Sequence, residues 1–242
     1  GLVGSEMCIR DSEYIAQKKP LAKQLLAKLN EKYQYASVLI TDNYEKGYRA
    51  SRSGVAISAT NAFGGKGMIV KVYDGKGYAE YSTNEITAEN LPEIEREIEQ
   101  QLMNPANFIP EGTEEAEYKC ISDEPCTLCE ATDYEIHPRE VGDEKLIETV
   151  TALREKAVKA DERILDAITG FNYQEYHKLF LSANRELEQS VLYSTGIMAL
   201  VAAKGEEIKQ SFRGFSNLGG AELLDKMESA IPQCVKLSLI HI

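Results

Sequence analysis

Cys120, Cys126, Cys129 and His137 fall in one short stretch and are the side-chain types that bind soft metals or exchange disulfides. The Cys126-x-x-Cys129 spacing is that of a zinc knuckle or a redox pair, because a tight turn can aim two thiolates at one tetrahedral ion. A structural zinc site usually takes its ligands from two such knuckles. Here the second half would be a lone cysteine, Cys120, and a lone histidine, His137. The competing reading is a set of reduced, solvent-facing thiols, because the stretch from Glu111 to Glu135 is crowded with carboxylates and these disfavour a reactive thiolate.

Other candidate chemistry is thinner. His177 sits on an expected strand with no serine or cysteine nucleophile motif beside it, so a surface or cross-strand contact is its expected role. Gly64-Gly65-Lys66-Gly67 has the composition of a phosphate loop, but such a loop must open a helix, and here another strand is expected to follow. Glu93, Glu95, Glu97 and Glu99 read as the solvent face of a helix rather than as paired catalytic carboxylates. No catalytic residue is assigned to this chain.

The elements that would position these residues follow from periodicity. A helix is expected over residues 20–33, with Pro20 in its first turn and Leu21, Leu25 and Leu29 as its apolar stripe. Strands are expected from Tyr35 to Thr41, Gly54 to Thr60, Gly67 to Tyr73 and Gly77 to Ser82, with Asp74-Gly75 as the hairpin turn between the last two. Asn90 and Glu93 read as a cap for a helix that buries Leu91, Ile94, Ile98 and Leu102. Residues 104–139 hold four of the seven prolines (Pro105, Pro110, Pro125 and Pro138) and read as an acidic excursion or linker.

A second set follows. A helix is expected from Glu144 to Leu165 on Leu146, Val150, Leu153, Ala157 and Ile164. Strands are then expected from Gly170 to Ser182, Leu187 to Tyr193, Ile197 to Ala203 and Glu207 to Phe215. A closing helix from Ala221 to Ala230 is stopped by Pro232. The fold class is therefore α+β, with two helix–antiparallel-meander–helix lobes at 13–103 and 140–236. Met68 to Val72 resembles Met198 to Ala202, which fits either an internal duplication or the general likeness of antiparallel meanders.

Bulk properties exclude some classes. The 242 residues suffice for a real core, and 43% hydrophobic with 27% charged residues is ordinary globular composition. A net charge of −12 repels phosphate backbones, so no nucleic-acid partner is expected. The longest apolar runs are too short to span a bilayer, so no membrane partner is expected either. Five cysteines without a secretory leader point to a reducing cytoplasm. Residues 1–12 (GLVGSEMCIRDS) and 237–242 (LSLIHI) resemble translated sequencing adapter; on that reading Cys8 and His241 carry no information and the native gene runs on past residue 236.

One ordered set of segments goes further. Gly67 to Ala79, then Ser82-Thr83-Asn84-Glu85-Ile86-Thr87, resembles the N-terminal domain of the TldD/PmbA family, whose members show G-x-x-V-x-V-x-x-x-G-x-x-G-x-A followed by S-T-N. Tyr35-Ala36-Ser37-Val38 is similar too, and Arg213 to Leu224 resembles the TldD branch rather than PmbA. The resemblance covers residues 14 to about 236, loosely in the middle, and the cysteine-containing excursion departs from it. It implies a zinc metallopeptidase acting on small or unfolded peptides, with a homo- or hetero-oligomeric partner of related sequence. It implies a zinc site of His-Glu-x-x-x-His plus a later cysteine in a C-terminal domain. That motif is absent from these 242 residues, so no cofactor is expected in this chain and zinc is expected in the remaining domain. A metal-free, PmbA-like partner subunit, or another non-enzymatic protein-binding module, is the alternative.

Overall fold

The computed structural model describes residues 12–59, 65–103 and 118–240. Cys8, His241, Gly64, Thr60, Pro105, Pro110 and the first residues of the acidic excursion lie outside them. The described chain is mixed α/β: six helices and eight strands, with antiparallel pairing predominating. In chain order these are α1 (Glu13–Lys32), β1 (Tyr35–Ser51), β2 (Gly54–Ala59), β3 (Lys66–Tyr73), β4 (Tyr78–Thr83), α2 (Leu91–Met103), β5 (Cys126–Ala131), α3 (Pro138–Val141), α4 (Asp143–Lys159), β6 (Ile164–Ser182), β7 (Arg185–Lys204), β8 (Glu207–Leu218), α5 (Leu223–Ser229) and α6 (Ile231–Leu239). Strand order is β4-β3-β1-β6-β7-β5, with β2 paired to β1 and β8 to β7.

Two compact units emerge, each assembled from three stretches of chain. The first takes residues up to Asn43, then Asn61–Ala131 and Tyr176–Ser190. Its core sets Ile15, Leu25 and Leu29 of α1 and Leu91, Ile94 and Ile98 of α2 with Val38, Ile40, Val70, Val72 and Leu179 of the strands. Side chains alternate across a strand, so Val38 and Ile40, and Met68, Val70 and Val72, each reach the core at every second residue. The β3–β4 hairpin turns at Asp74-Gly75 as its sequence predicts. Gly75 has φ +100°, and the Asp74 carboxylate accepts from the Lys76 and Gly77 amides at 2.8 and 2.9 Å.

Several expectations shift here. The first helix begins at Glu13, not residue 20, and Pro20 lies inside it. Ser12 caps it by accepting from the Ile15 amide at 3.3 Å, and buried Ile15 extends the core stripe, which outweighs the interior proline. Asn90 stands just ahead of α2, and its carbonyl accepts from Ile94 N at 3.0 Å. Its Oδ1 accepts from Thr87 N at 2.8 Å and its Nδ2 donates to Glu85 O at 3.0 Å, closing the preceding turn. Glu95 and Glu99 do not simply face solvent: Lys28 and Lys32 of α1 reach them at 2.8 and 2.7 Å.

The second unit takes Tyr44–Thr60, Thr132–Glu175 and Val191 onward. Leu146, Val150, Leu153 and Ala157 of α4, with Leu224 and Met227 of α5 and Ile231 and Cys234 of α6, pack on Tyr48, Phe171, Tyr173, Met198 and Leu200. Helix α4 stops at Lys159, so Ile164 belongs to a strand. The Asp161 carboxylate accepts from Arg163 N at 3.0 Å and Nε at 2.8 Å, making a turn that ends the helix early. The Arg163 guanidinium holds the Asp161 carboxyl down at about 2. Two expected strands merge into continuous β7, because Gly196 is not a break. A Cβ there would meet Met227 Sδ at 2.3 Å, so glycine lets α5 approach the strand. Helix α5 ends at Ser229 with Ala230 as its cap, where the stop was expected, and Pro232 then stands in the first turn of a further helix, α6, where a missing N–H is tolerated.

The core and open surfaces of the second unit separate cleanly by mutation. Phe171→Ala, at a fully buried ring, should cost about 3–5 kcal/mol in chemical unfolding. Phe212→Ala, at a ring 76% exposed on β8, should stay within about 0.5 kcal/mol of the parent.

Candidate functional site

The cysteines lie on extended chain. Cys120 is exposed, ahead of β5, and Cys126 and Cys129 are exposed on β5 itself. The turn expected between the last two is a strand, and residues three apart on a strand point to opposite faces. Cys129 is disulfide-bonded, while Cys120, Cys126 and Cys234 are free thiols. His137 belongs to the second unit, where its Nδ1 accepts from Arg139 N at 3.2 Å and caps α3. Among the described residues no group of three or more His, Cys, Asp or Glu side chains is placed to hold a metal ion. Cys234 is buried, and burial pushes its thiol up, away from the reactive thiolate.

The remaining sequence candidates resolve into structural contacts. His177 Nδ1 lies 3.0 Å from Ser190 Oγ, across from β6 to β7. Lys66 opens strand β3, so no helix N-terminus follows the glycine run to receive a phosphate. Gly65 serves close packing instead: a Cβ there would lie 1.9 Å from the Asn43 carbonyl oxygen, and Asn43 N donates to Gly65 O at 2.7 Å.

A polar cluster that sequence reading did not find occupies the second unit. Glu175 on β6 is buried, and Arg139 Nε donates to its Oε1 at 2.7 Å, with His137 Nε2 3.8 Å from the same atom. The Arg139 guanidinium lies 4.3 Å from the centre of the Tyr44 ring, and Tyr44 packs on Tyr173 at 5.9 Å. Beside them Tyr48 OH donates to Asp143 Oδ1 at 2.7 Å, and Lys46 Nζ reaches the same carboxylate at 2.6 Å. A carboxylate next to an imidazole can do acid–base work. Here the guanidinium takes the same oxygen at shorter range. Burial, then the Asp143 hydrogen bond, pushes the Tyr48 phenol up, and burial, then Tyr44, does the same to Tyr173. Neither phenol ionises near neutrality. The cluster holds the starts of α3 and α4 against β1 and β6. Its one advance signal was His137-Pro138, a cap followed by a first-turn proline.

What remains open is one face of the β7–β8 pair. Ile208, Phe212 and Leu218 share a face of β8, and Ile197 of β7 stands on that face opposite Gly214. All four are exposed, whereas Met198, Leu200 and Ala202 on the other face are buried under helices. Gln210, Gly214 and Ser216 lie between them on the same face of β8, so this is a face dotted with exposed apolar side chains, a candidate for association. No helix among the described residues is long and apolar enough to cross a membrane.

Comparison with solved structures places this fold among known ones. The chain is similar to a proposed modulator of DNA gyrase from Bacteroides thetaiotaomicron, with TM-score 0.62 and 17% identity, covering 92% of this chain and 49% of that one. It is similar to a second proposed modulator of DNA gyrase, from Thermotoga maritima, with TM-score 0.65 and 14% identity over 90% of this chain and 47% of that one. It is also similar to TldE from Thermococcus kodakarensis, with TM-score 0.59 and 13% identity over 88% and 46%. The chain thus spans about half the length of each. At these identities the likeness is one of fold. No family model and no curated protein sequence matches the chain.

Two expectations follow. A Cys126→Ser, Cys129→Ser double variant, assayed with thiols reduced, should keep the thermal midpoint of the parent and bind no less zinc by metal analysis, because neither side chain is buried. The Asp143 carboxyl is held below the ordinary carboxylate range by Lys46 first and Tyr48 second. Its contribution is present above the unfolded-state value and is lost as pH falls through the lowered folded value. Urea midpoints of the parent and Asp143→Asn should therefore differ most near neutral pH and converge in strong acid.

Proposed function

We propose that the chain is the N-terminal, non-catalytic portion of a TldD-like zinc metallopeptidase of the TldD/PmbA family, acting on small or unfolded peptides in the cytoplasm. One agreement supports this reading. The segments resembling that family run in order along the sequence, and the folded chain independently resembles TldE over 88% of its own length but only 46% of TldE's. A chain equivalent to half of a larger protein needs to carry only half of its chemistry.

The residues present do not fit a catalytic zinc. The His-Glu-x-x-x-His motif occurs nowhere in the sequence, and the described residues offer no three-ligand group. No step of peptide hydrolysis is therefore assigned to any residue here. What the chain supplies is a platform: a sheet backed by helices on one face, with Ile197, Ile208, Phe212 and Leu218 free on the other to pack a further domain or a related subunit. That same face favours one alternative, a metal-free PmbA-like partner subunit whose role is association alone.

Assay of the purified chain and of the protein from the complete gene tests both readings. The chain should cleave no unstructured peptide with or without added zinc. The complete protein should cleave it, lose activity to a chelator, and carry His-Glu-x-x-x-His beyond residue 236. Zinc-dependent cleavage by the chain alone would overturn the proposal. A complete protein that lacks the histidine pair would leave the partner-subunit reading in its place.

A further inference from the structure

Strand β5 is attached to the first unit in an unusual way. It pairs in parallel with β7, Cys126 beside Arg185 through Ala131 beside Ser190, whereas β1–β2, β1–β3, β3–β4 and β7–β8 are all antiparallel. It ends the strand order, and all six of its residues are exposed. With the Cys129 disulfide reduced, a strand that buries no side chain is held chiefly by main-chain hydrogen bonds, which any extended peptide can make. We propose that the β7 edge from Arg185 to Ser190 is a receptor for an extended peptide strand, and that β5 is the chain's own, displaceable occupant of it.

What the receptor reads is set by a clasp just ahead of the strand. The Asp123 carboxylate accepts from Ser182 Oγ and, at 3.1 Å, from Asn184 N, while Asn184 Nδ2 donates to Asp123 O at 3.0 Å. Ser182 is buried, and its hydroxyl oxygen also accepts from Arg185 N at 3.0 Å, so this acceptor turn is pre-ordered. Arg185 Nε donates to Glu124 O at 2.9 Å, and Cys126 N donates to Asn184 O at 3.1 Å. Only Asp123 among these contacts depends on the occupant's side chain. Beside the strand lies a groove of about 380 Å³ lined by Lys23, Leu26, Asn30, Thr127, Arg185 and Glu186, so a side chain at the Thr127 position has room to be larger. Lys19 and Lys23 pair with Glu186 at 2.7 Å each, and Lys19 also pairs with Glu188, so the two lysines offset the carboxylates of the receptor strand. The occupant is thus an extended peptide with an aspartate three residues before its paired stretch. This inference stands on the fold alone and is independent of the metallopeptidase reading.

The test frees the edge in the full chain with thiols reduced, so that Cys129 tethers nothing. Cys126 donates to Asn184, so the two-residue repeat of a parallel ladder makes Leu128 N the next donor; Leu128→Pro removes it on an exposed side chain. A fluorescein-labelled peptide of residues 121–132, with Cys126→Ser and Cys129→Ser, should bind Leu128→Pro saturably by anisotropy. It should bind the parent at least about tenfold more weakly, because the parent's edge is occupied. Asp123→Asn in the peptide should weaken binding by about fivefold or more. Absence of binding to folded Leu128→Pro, or equal binding to the parent, overturns the proposal. If Leu128→Pro does not fold, hydrogen exchange on the parent decides. Amides of Cys126–Ala131 should exchange about 100-fold faster than those of β6 between Tyr176 and Ser182, and equal protection refutes displaceability.

Discussion

Side chains alternate between the two faces of a strand, and much of this structure follows from which face the helices cover. In the first unit the covered face takes Val38, Ile40, Val70 and Val72 beneath α1 and α2; in the second it takes Met198, Leu200 and Ala202 beneath α4, α5 and α6. Helices laid on one face of a sheet leave the other to water or to a partner. The apolar residues left there, Ile197 and Phe212 among them, are therefore consequences of the architecture that also give it somewhere to associate.

Close approach of neighbouring elements sets the tolerances. Gly196 has no side chain because Met227 of α5 occupies that space, and Gly65 has none because the Asn43 carbonyl does. Around the rims, charge takes over from packing. Lys28 and Lys32 of α1 meet Glu95 and Glu99 of α2, and Lys19 and Lys23 meet Glu186. In a chain of net charge −12 these pairs place part of the lysine complement where carboxylates from separate elements converge. Each exposed pair contributes little by itself, but together they lessen repulsion at the seams.

The chemistry is as informative where it is structural as where it would be catalytic. Arg139, Glu175 and His137 have the residue types of an acid–base site, yet the guanidinium on Glu175 and the cap made by His137 spend those groups on holding α3 in place. The platform reading and the strand-acceptor reading use different parts of the molecule, the open β7–β8 face and the start of β7. A peptide-handling protein could use both without one constraining the other.

Local pattern carried much of this. The apolar stripes of α1, α2 and α4, the β3 and β4 strands and the Asp74-Gly75 turn were legible because helix and strand periods and turn chemistry are properties of a few neighbouring residues. The ordered segments that resemble the TldD/PmbA family were legible too. Boundaries that depend on distant partners were not. Pro20 sits inside a helix because Ile15 finds a core, Ser194-Thr195-Gly196 continues a strand because Met227 needs the space, and Cys126 and Cys129 diverge because β7 draws their segment into a strand. The Glu175 cluster was invisible for the same reason: its members lie far apart in the chain and meet only once β1, β6 and the start of α3 are assembled. Periodicity says which face of an element is apolar, and only tertiary pairing decides what that face, or a lone edge, will meet.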